Sequence, residues 1–366
     1  MVASYAREQV LSFRVRAQQL DRTSGTLTDT AVLDVGVQDT GPDGAMWALA
    51  QRGIDVSELA GSELVRVWTL RGAPHLYRRR DLPFVATAVA PFSESDASKR
   101  IFDAAKPLRS AGIDTVAALD AVATAMRSIV TRPMVKGEVS RQVTAVMDPP
   151  YLRHCRPCDT THLYEMPFRL AALRAGLELE ANTSPPVLRP IPGFVRAPTT
   201  PARFDVVRAY LRLLGPATPR HVADYLEAPV ADVRARWPAD VVEVSVEGER
   251  RWLLAADEAE LAAGPAPLTR LLGPFDLFLQ ARDRRLLVDD AVRAKSLWPA
   301  LGRPGAVLVD GEIAGTWRPR KAGAQLTVQV QPWAALSPHL EATIRDEAER
   351  LAQRRRVVLA GVTLAD

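Results

Sequence analysis

Residues 202–254 carry punctuation that leaves few folds open to this chain. Apolar residues recur at helical spacing over 202–214 and stop at Gly215-Pro216. Thr218 then stands as an N-cap with Pro219 at the first helical position, where a missing N–H costs little and the fixed φ suits the helix. Pro229 opens a third helix that ends near Trp237-Pro238. Residues 241–246 alternate apolar and polar, Glu247-Gly248-Glu249 turns the chain, and residues 250–254 return. Three helices followed by a two-stranded hairpin is the plan of a winged helix, a variant of the helix-turn-helix that docks one helix in the major groove of DNA.

The same order, helices first and strands after, recurs twice upstream in looser form. An amphipathic helix is expected over 4–20, with Ser4 as cap and Val10, Phe13, Ala17 and Leu20 on one face. A second, short helix follows Thr28-Asp29-Thr30 and carries Val32, Val35 and Gln38. Residues 40–44 read as a turn, 45–52 as a helix ended by Gly53, and 64–70 as a strand. The basic run Arg78-Arg79-Arg80 leads into a helix capped by Asp81. Residues 115–195 repeat the order with a helix over 116–129, another capped by Ser140, and a third over 163–175 stopped by Gly176. Leu177-Glu178-Leu179 and the Pro-rich stretch 184–193 follow, the latter as an ordered linker or edge strand.

The last third is richer in strands. Residues 306–309 and 313–317 flank a type I′ turn at Asp310-Gly311, 318–323 form a second, basic turn, and 325–330 a third strand. A helix capped by Ser337 runs to about residue 354 and a strand at 357–362 closes the chain. The expected fold is α+β: three tandem winged-helix modules at 1–108, 109–200 and 201–258, then a β-rich module at 259–366.

The net charge of +4 is built unusually, since only five of 47 basic residues are lysines. Arginine suits phosphate forks and guanine edges, although a GC-rich genome supplies arginine codons everywhere. The balance permits nucleic acid as a partner without proving it. No apolar run approaches the roughly 20 residues of a membrane span, and the N-terminus turns polar at once, so a cytoplasmic protein without membrane contact is expected. Two cysteines, Cys155 and Cys158, fit a reducing compartment.

His154, Cys155, Cys158 and His162 fall within nine residues. Structural zinc sites usually draw their second ligand pair from a distant segment, so this stretch reads as a helix start with small buried thiols, and no metal is expected. Gly-rich phosphate loops, Gly-x-Ser-x-Gly elbows and His-Glu-x-x-His motifs are absent. The polar cluster of most interest runs from Asp34 to Thr40. Asp34 and Gln38 are four apart, hence on one helical face, and Gln38-Asp39 ends that helix before a Gly-rich loop. A carboxylate and an amide at a helix end can hold a water and stabilise a developing sugar cation. The plain alternative is a solvated helix end.

Four segments, 35–40, 64–76, 162–177 and 311–318, together resemble the AlkZ and YcaQ group of winged-helix DNA glycosylases, in the same order along the chain. The resemblance implies a concave basic surface around duplex DNA and metal-free, cofactor-free hydrolysis of the N-glycosidic bond of a bulky alkylated purine. Such relatives serve self-resistance in producers of DNA-alkylating natural products. The family carries its chemistry on a short Gln-x-Gln, Gln-x-Asp or His-x-Gln motif; here Gln38 matches the last position and Gly36 occupies the first. The expected catalytic residues are Gln38 and Asp39, and the expected DNA contacts are Arg71, His75, Lys136, Arg141, Arg318, Arg320 and Lys321, in a monomer. Two other readings stay open: a non-catalytic regulator, and a protein that sequesters adducts without cutting.

Overall fold

The computed structural model describes residues 2–365 except 42–43, 58, 60–62, 158 and 265–266. Over 202–254 the expected elements form. Asp205 starts helix Val206–Leu214 by accepting from the N–H groups of Val207 and Arg208. Thr218 caps helix Pro219–Leu226 by accepting from the His221 N–H, and helix Val230–Ala235 follows. Strands Val241–Val246 and Glu249–Leu254 pair antiparallel.

The N-terminus departs from its expected course. Ala3–Tyr5 is a strand, paired parallel with Val244–Val246, so Ser4 caps nothing and helix Arg7–Ala17 begins with Ala6 at its N-cap. Tyr5 packs on a small core of Val10, Phe13, Val244, Val246 and Leu253, and the pairing covers an otherwise open sheet edge.

The helix expected around Asp34 and Gln38 does not form. A 3₁₀ turn, Ala31–Asp34, stops before Gly36, whose φ of +89° no α-helix accommodates. Val37–Gln38 is instead an edge strand on Pro74–Arg78. Asp34 and Gln38 therefore share no helical face. The tip of the turn expected at 40–44 lies outside the described residues.

That edge strand begins a six-stranded sheet: Val37–Gln38, Pro74–Arg78, Leu64–Trp68, Leu177–Leu179, Val187–Pro190, Met134–Val135. Strand pairing thus runs across the boundary expected at 108/109, and the Pro-rich stretch supplies a strand paired on both sides rather than an edge. Helix Lys136–Val146 starts at Val135, leaving Ser140 in its interior. Asp81 precedes helix Leu82–Ala88 but makes ion pairs with Arg78 and Arg203 in place of a cap.

Residues 152–163 form a hairpin, Leu152–Cys155 with Thr160–Leu163, where a helix start was expected. Cys158 lies outside the described residues. Among the described residues no group of three His, Cys, Asp or Glu side chains is placed to hold a metal. No described helix is long and apolar enough to cross a membrane.

The C-terminal sheet has five strands: Thr269–Leu272, Gly305–Val309, Glu312–Ala322, Gln325–Pro332 and Val358–Leu364. Asp310 and Gly311 both adopt positive φ, 50° and 90°, as a type I′ turn requires. Helix Pro338–Arg355, capped by Ser337, buries Ile344, Ala348 and Leu351 against this sheet. Strand Glu312–Ala322 is longer than expected and runs through Arg318, Arg320 and Lys321, so these cations lie on a strand and the turn comes at Gly323.

One apolar core joins the N-terminal and 202–254 regions to the C-terminal part, with Leu49, Tyr77, Tyr210, Tyr225 and Phe278 among its members. Buried ion pairs tie the same parts together: Arg14 and Arg251 on Asp283, Arg52 on Asp276, Arg78 and Arg212 on Asp34.

Candidate active site

Gln38 sits on the edge strand with its amide held at both ends. Its Nε2 donates to Thr40 Oγ1 at 3.1 Å, and its Oε1 accepts from Arg71 at 3.2 Å. Arg71 occupies the tight connection between strands Leu64–Trp68 and Pro74–Arg78 with φ of 58°. Its guanidinium also donates to the Gln280 side chain at 2.6 Å and to the Tyr225 carbonyl at 3.0 Å, and it lies 4.6 Å over the Tyr225 ring. Arg71 was expected on DNA. The structure directs it inward, where it fixes the orientation of the Gln38 amide and ties it to two distant segments.

Asp39 is also committed. One carboxylate oxygen accepts from the Ala45 N–H at 2.9 Å, at the start of helix Gly44–Ala50, and the other pairs with Arg66. These bonds make it a helix cap and ion-pair partner, and they leave its side chain only 8% exposed. Asp34, the other carboxylate of the expected pair, is buried between Arg78 and Arg212.

Gly36 has no room for a side chain. A Cβ there would lie 2.5 Å from the Tyr77 hydroxyl and 2.6 Å from Cε1 of its ring. Tyr77 is fully buried and anchored: its hydroxyl donates to the Val35 carbonyl at 3.1 Å and meets Thr69 Oγ1 at 2.9 Å. Burial pushes the Tyr77 phenol above its ordinary range, so it stays neutral. His75, also expected on DNA, is 1% exposed and hydrogen-bonds Thr69 and Ala73 through Nδ1. Burial first, then the Arg71 charge, lowers its pKa to about 3. It is a neutral core residue and cannot meet a phosphate in this structure.

The remaining expected contacts divide by position. Arg318 and Arg320 line the same cleft as Gln38 and Thr40, a space of about 530 Å³ that also takes in Phe275, Pro274, Pro304 and Arg303. The alternation of strand side chains places Lys321, exposed, on the opposite face. Arg141 is exposed on helix Lys136–Val146. Lys136, at that helix's start, is paired with Glu165 at 2.6 Å.

Of the residues expected from sequence, the structure brings together Gln38, Arg318 and Arg320, 280 residues apart along the chain. Sequence reasoning missed Thr40, which holds the amide directly, and Tyr225 and Gln280, which hold it through Arg71. The last two are reached because Arg71 adopts a positive φ, and sequence carries no signal of that at an arginine.

A cleft lined by three arginines and an oriented amide, with no unpaired carboxylate among the described residues around it, suits a polyanion and a polarised water. The chain belongs to the AlkZ-like DNA glycosylase family, whose description, DNA glycosylase AlkZ-like, matches residues 32–354. Its fold is similar to that of the Streptomyces sahachiroi DNA glycosylase AlkZ, with a TM-score of 0.72 and 22% identity over 100% of both chains. No curated protein sequence matches it.

Proposed function

We propose that this DNA glycosylase hydrolyses the N-glycosidic bond of bulky alkylated purines, guanine adducts foremost, in duplex DNA, with Gln38 positioning the attacking water. One observation carries the reading. The Gln38 amide, clamped by Thr40 and Arg71, opens onto a cleft whose other wall bears Arg318 and Arg320. The cleft's size falls within the range of about 300–1,000 Å³ of small-molecule sites, and Phe275, Pro274 and Pro304 give it apolar surface for an adduct beyond the base. An adduct that already labilises the glycosidic bond asks little of the enzyme, which suits a site with one amide and no free carboxylate.

In this reading the protein works as a cytoplasmic monomer, and its role extends to self-resistance against a DNA-alkylating natural product. Residues 1–108, 109–200 and 201–258 act as winged-helix modules, the first two sharing one sheet; the hairpins 64–78, 152–163 and 241–254, each preceded by helices, are the wings of this reading. The β-rich module at 259–366 adds Arg318 and Arg320 to the cleft.

Single-turnover excision of a defined alkyl-guanine, with affinity measured in parallel, tests the chemistry. Gln38→Ala should slow base release by about 10²–10⁴-fold and leave duplex affinity nearly intact. Full activity in that variant removes Gln38 from the mechanism. A second reading, adduct binding without cutting, has Gly36 in its favour, because the motif's first side chain is absent and Tyr77 fills its place. Tight binding with no abasic product would establish it.

A further inference from the structure

Most arginines that reach the interior of this fold meet a carboxylate, as Arg14, Arg52, Arg78 and Arg100 do. One group does not. Arg282 and Arg284 follow Gln280, the residue that holds Arg71, and Arg303 lines the Gln38 cleft. None of these three makes an ion pair among the described residues. Arg284 stacks 4.9 Å over Trp298, and Arg303 lies 5.5 Å over Phe275. Arg282 is part-buried and its Nε has no hydrogen-bond partner, although the atom is shielded from solvent.

The three feel one another in series. Burial, then the charge of Arg71, lowers the pKa of Arg282; burial, then Arg282 and Arg303, lowers that of Arg284. Glu227 acts on Arg282, but the two form no ion pair among the described residues. Neighbouring like charges, one of them with an unsatisfied donor, destabilise a fold unless an anion completes them, and stacking on Trp298 and Phe275 holds the planar forks of Arg284 and Arg303 ready for one.

We propose that Arg282, Arg284 and Arg303 form a clamp for the DNA backbone phosphates flanking the nucleotide presented to Gln38. Arg282 lies within reach of the Arg71 charge, so the groups that grip the strand stand near the arginine that orients the amide acting on it. The proposal deepens the function proposed above and takes from it the identity of the polyanion.

Binding of an undamaged duplex, followed between about 50 and 200 mM salt, tests it without using catalysis. Each phosphate contact contributes about 0.9 to the slope of log K against log salt. Each of Arg282→Gln, Arg284→Gln and Arg303→Gln should therefore lower the slope by about 0.9, and the triple variant by about 2–3. Arg284→Lys and Arg303→Lys keep the charge and should keep the slope. Removing unpaired charges should leave the denaturation midpoint unchanged or raise it. A slope equal to wild type in the triple variant overturns the clamp, as does a lowered midpoint, which would make these residues structural. Loss of slope in a protein that never excises a base supports the clamp and sinks the glycosylase chemistry instead.

Discussion

Gly36 stands at the first position of the short motif that the sequence resemblance implies, and introducing a side chain there tests the geometry directly. Two costs add. A non-glycine residue held at φ of +89° is strained by about 1–3 kcal/mol. The new Cβ also meets the Tyr77 ring and lies 2.5 Å from its hydroxyl, and overpacking of this kind costs about 1–3 kcal/mol. Gly36→Ala should therefore lose about 2–6 kcal/mol, a large share of the 5–15 kcal/mol that holds a typical domain. Urea unfolding followed by circular dichroism reads this as a lower midpoint with little change in slope. Tyr77→Leu in the same background removes the ring and should return part of the loss, with a coupling of about 0.5–3 kcal/mol in a double-mutant cycle. Gly36→Gln adds length to the same collision. It should displace the Val35–Tyr77 hydrogen bond and with it the strand that carries Gln38, so excision falls rather than rises. A Gly36→Gln protein with wild-type stability and faster excision would refute the reasoning.

Three further outcomes follow from the same structure. Asp39→Asn should cost about 1 kcal/mol, through a weakened cap on helix Gly44–Ala50 and a lost pair with Arg66, and should barely change single-turnover excision measured on folded protein. Asp283 is pushed up by burial but held down by Arg14 and Arg251, which set its pKa at about 2. The sign follows: a depressed carboxylate stabilises fully above its unfolded value of about 3.9, and that contribution is lost as pH falls toward 2. Asp283→Asn should flatten the acid limb of the stability profile and cost about 3–5 kcal/mol at neutral pH, because two buried guanidiniums lose their partner. Arg318→Ala with Arg320→Ala should flatten the salt dependence of duplex binding, whereas Lys321→Ala, on the other face of the strand, should change it less; equal effects would contradict the placement of the cleft.

What could be read ahead of the structure was local. Thr218-Pro219 and Ser337-Pro338 cap the helices they announce, and Asp310-Gly311 makes the turn its residues demand, because each signal acts over three or four residues. The readings that failed depend on partners far away. Ser4 looks like a cap, but Ala3–Tyr5 finds a sheet edge 240 residues on. The apolar residues from Val32 to Val37 suit a helix until Gly36 turns the chain onto Pro74–Arg78. Arg71 and His75 look like surface cations, yet the first is half-buried and stacked on Tyr225 and the second is buried and neutral beside Thr69. Gln38 was singled out only by resemblance; its residue type on an edge strand says nothing of chemistry.

The distant partners also bear on how such a site can work with so little catalytic equipment. Gln38 belongs to a two-residue strand, too short to hold an amide steady by backbone pairing alone. Its orientation comes from Arg71, and Arg71 is fixed in turn by Tyr225 from helix Pro219–Leu226 and by Gln280 from the start of the C-terminal part. The amide is therefore aligned only when three separated stretches of chain are docked. An amide gains catalytic value from being pre-set, since it has no charge to contribute and an unset one must be ordered during the reaction. The buried pairs on Asp283, Asp276 and Asp34 join the same stretches, which makes inter-segment docking and alignment of Gln38 one property of the fold. Loosening any of these pairs should therefore slow base release before it weakens binding, because phosphate contacts tolerate small displacements that a positioned water does not.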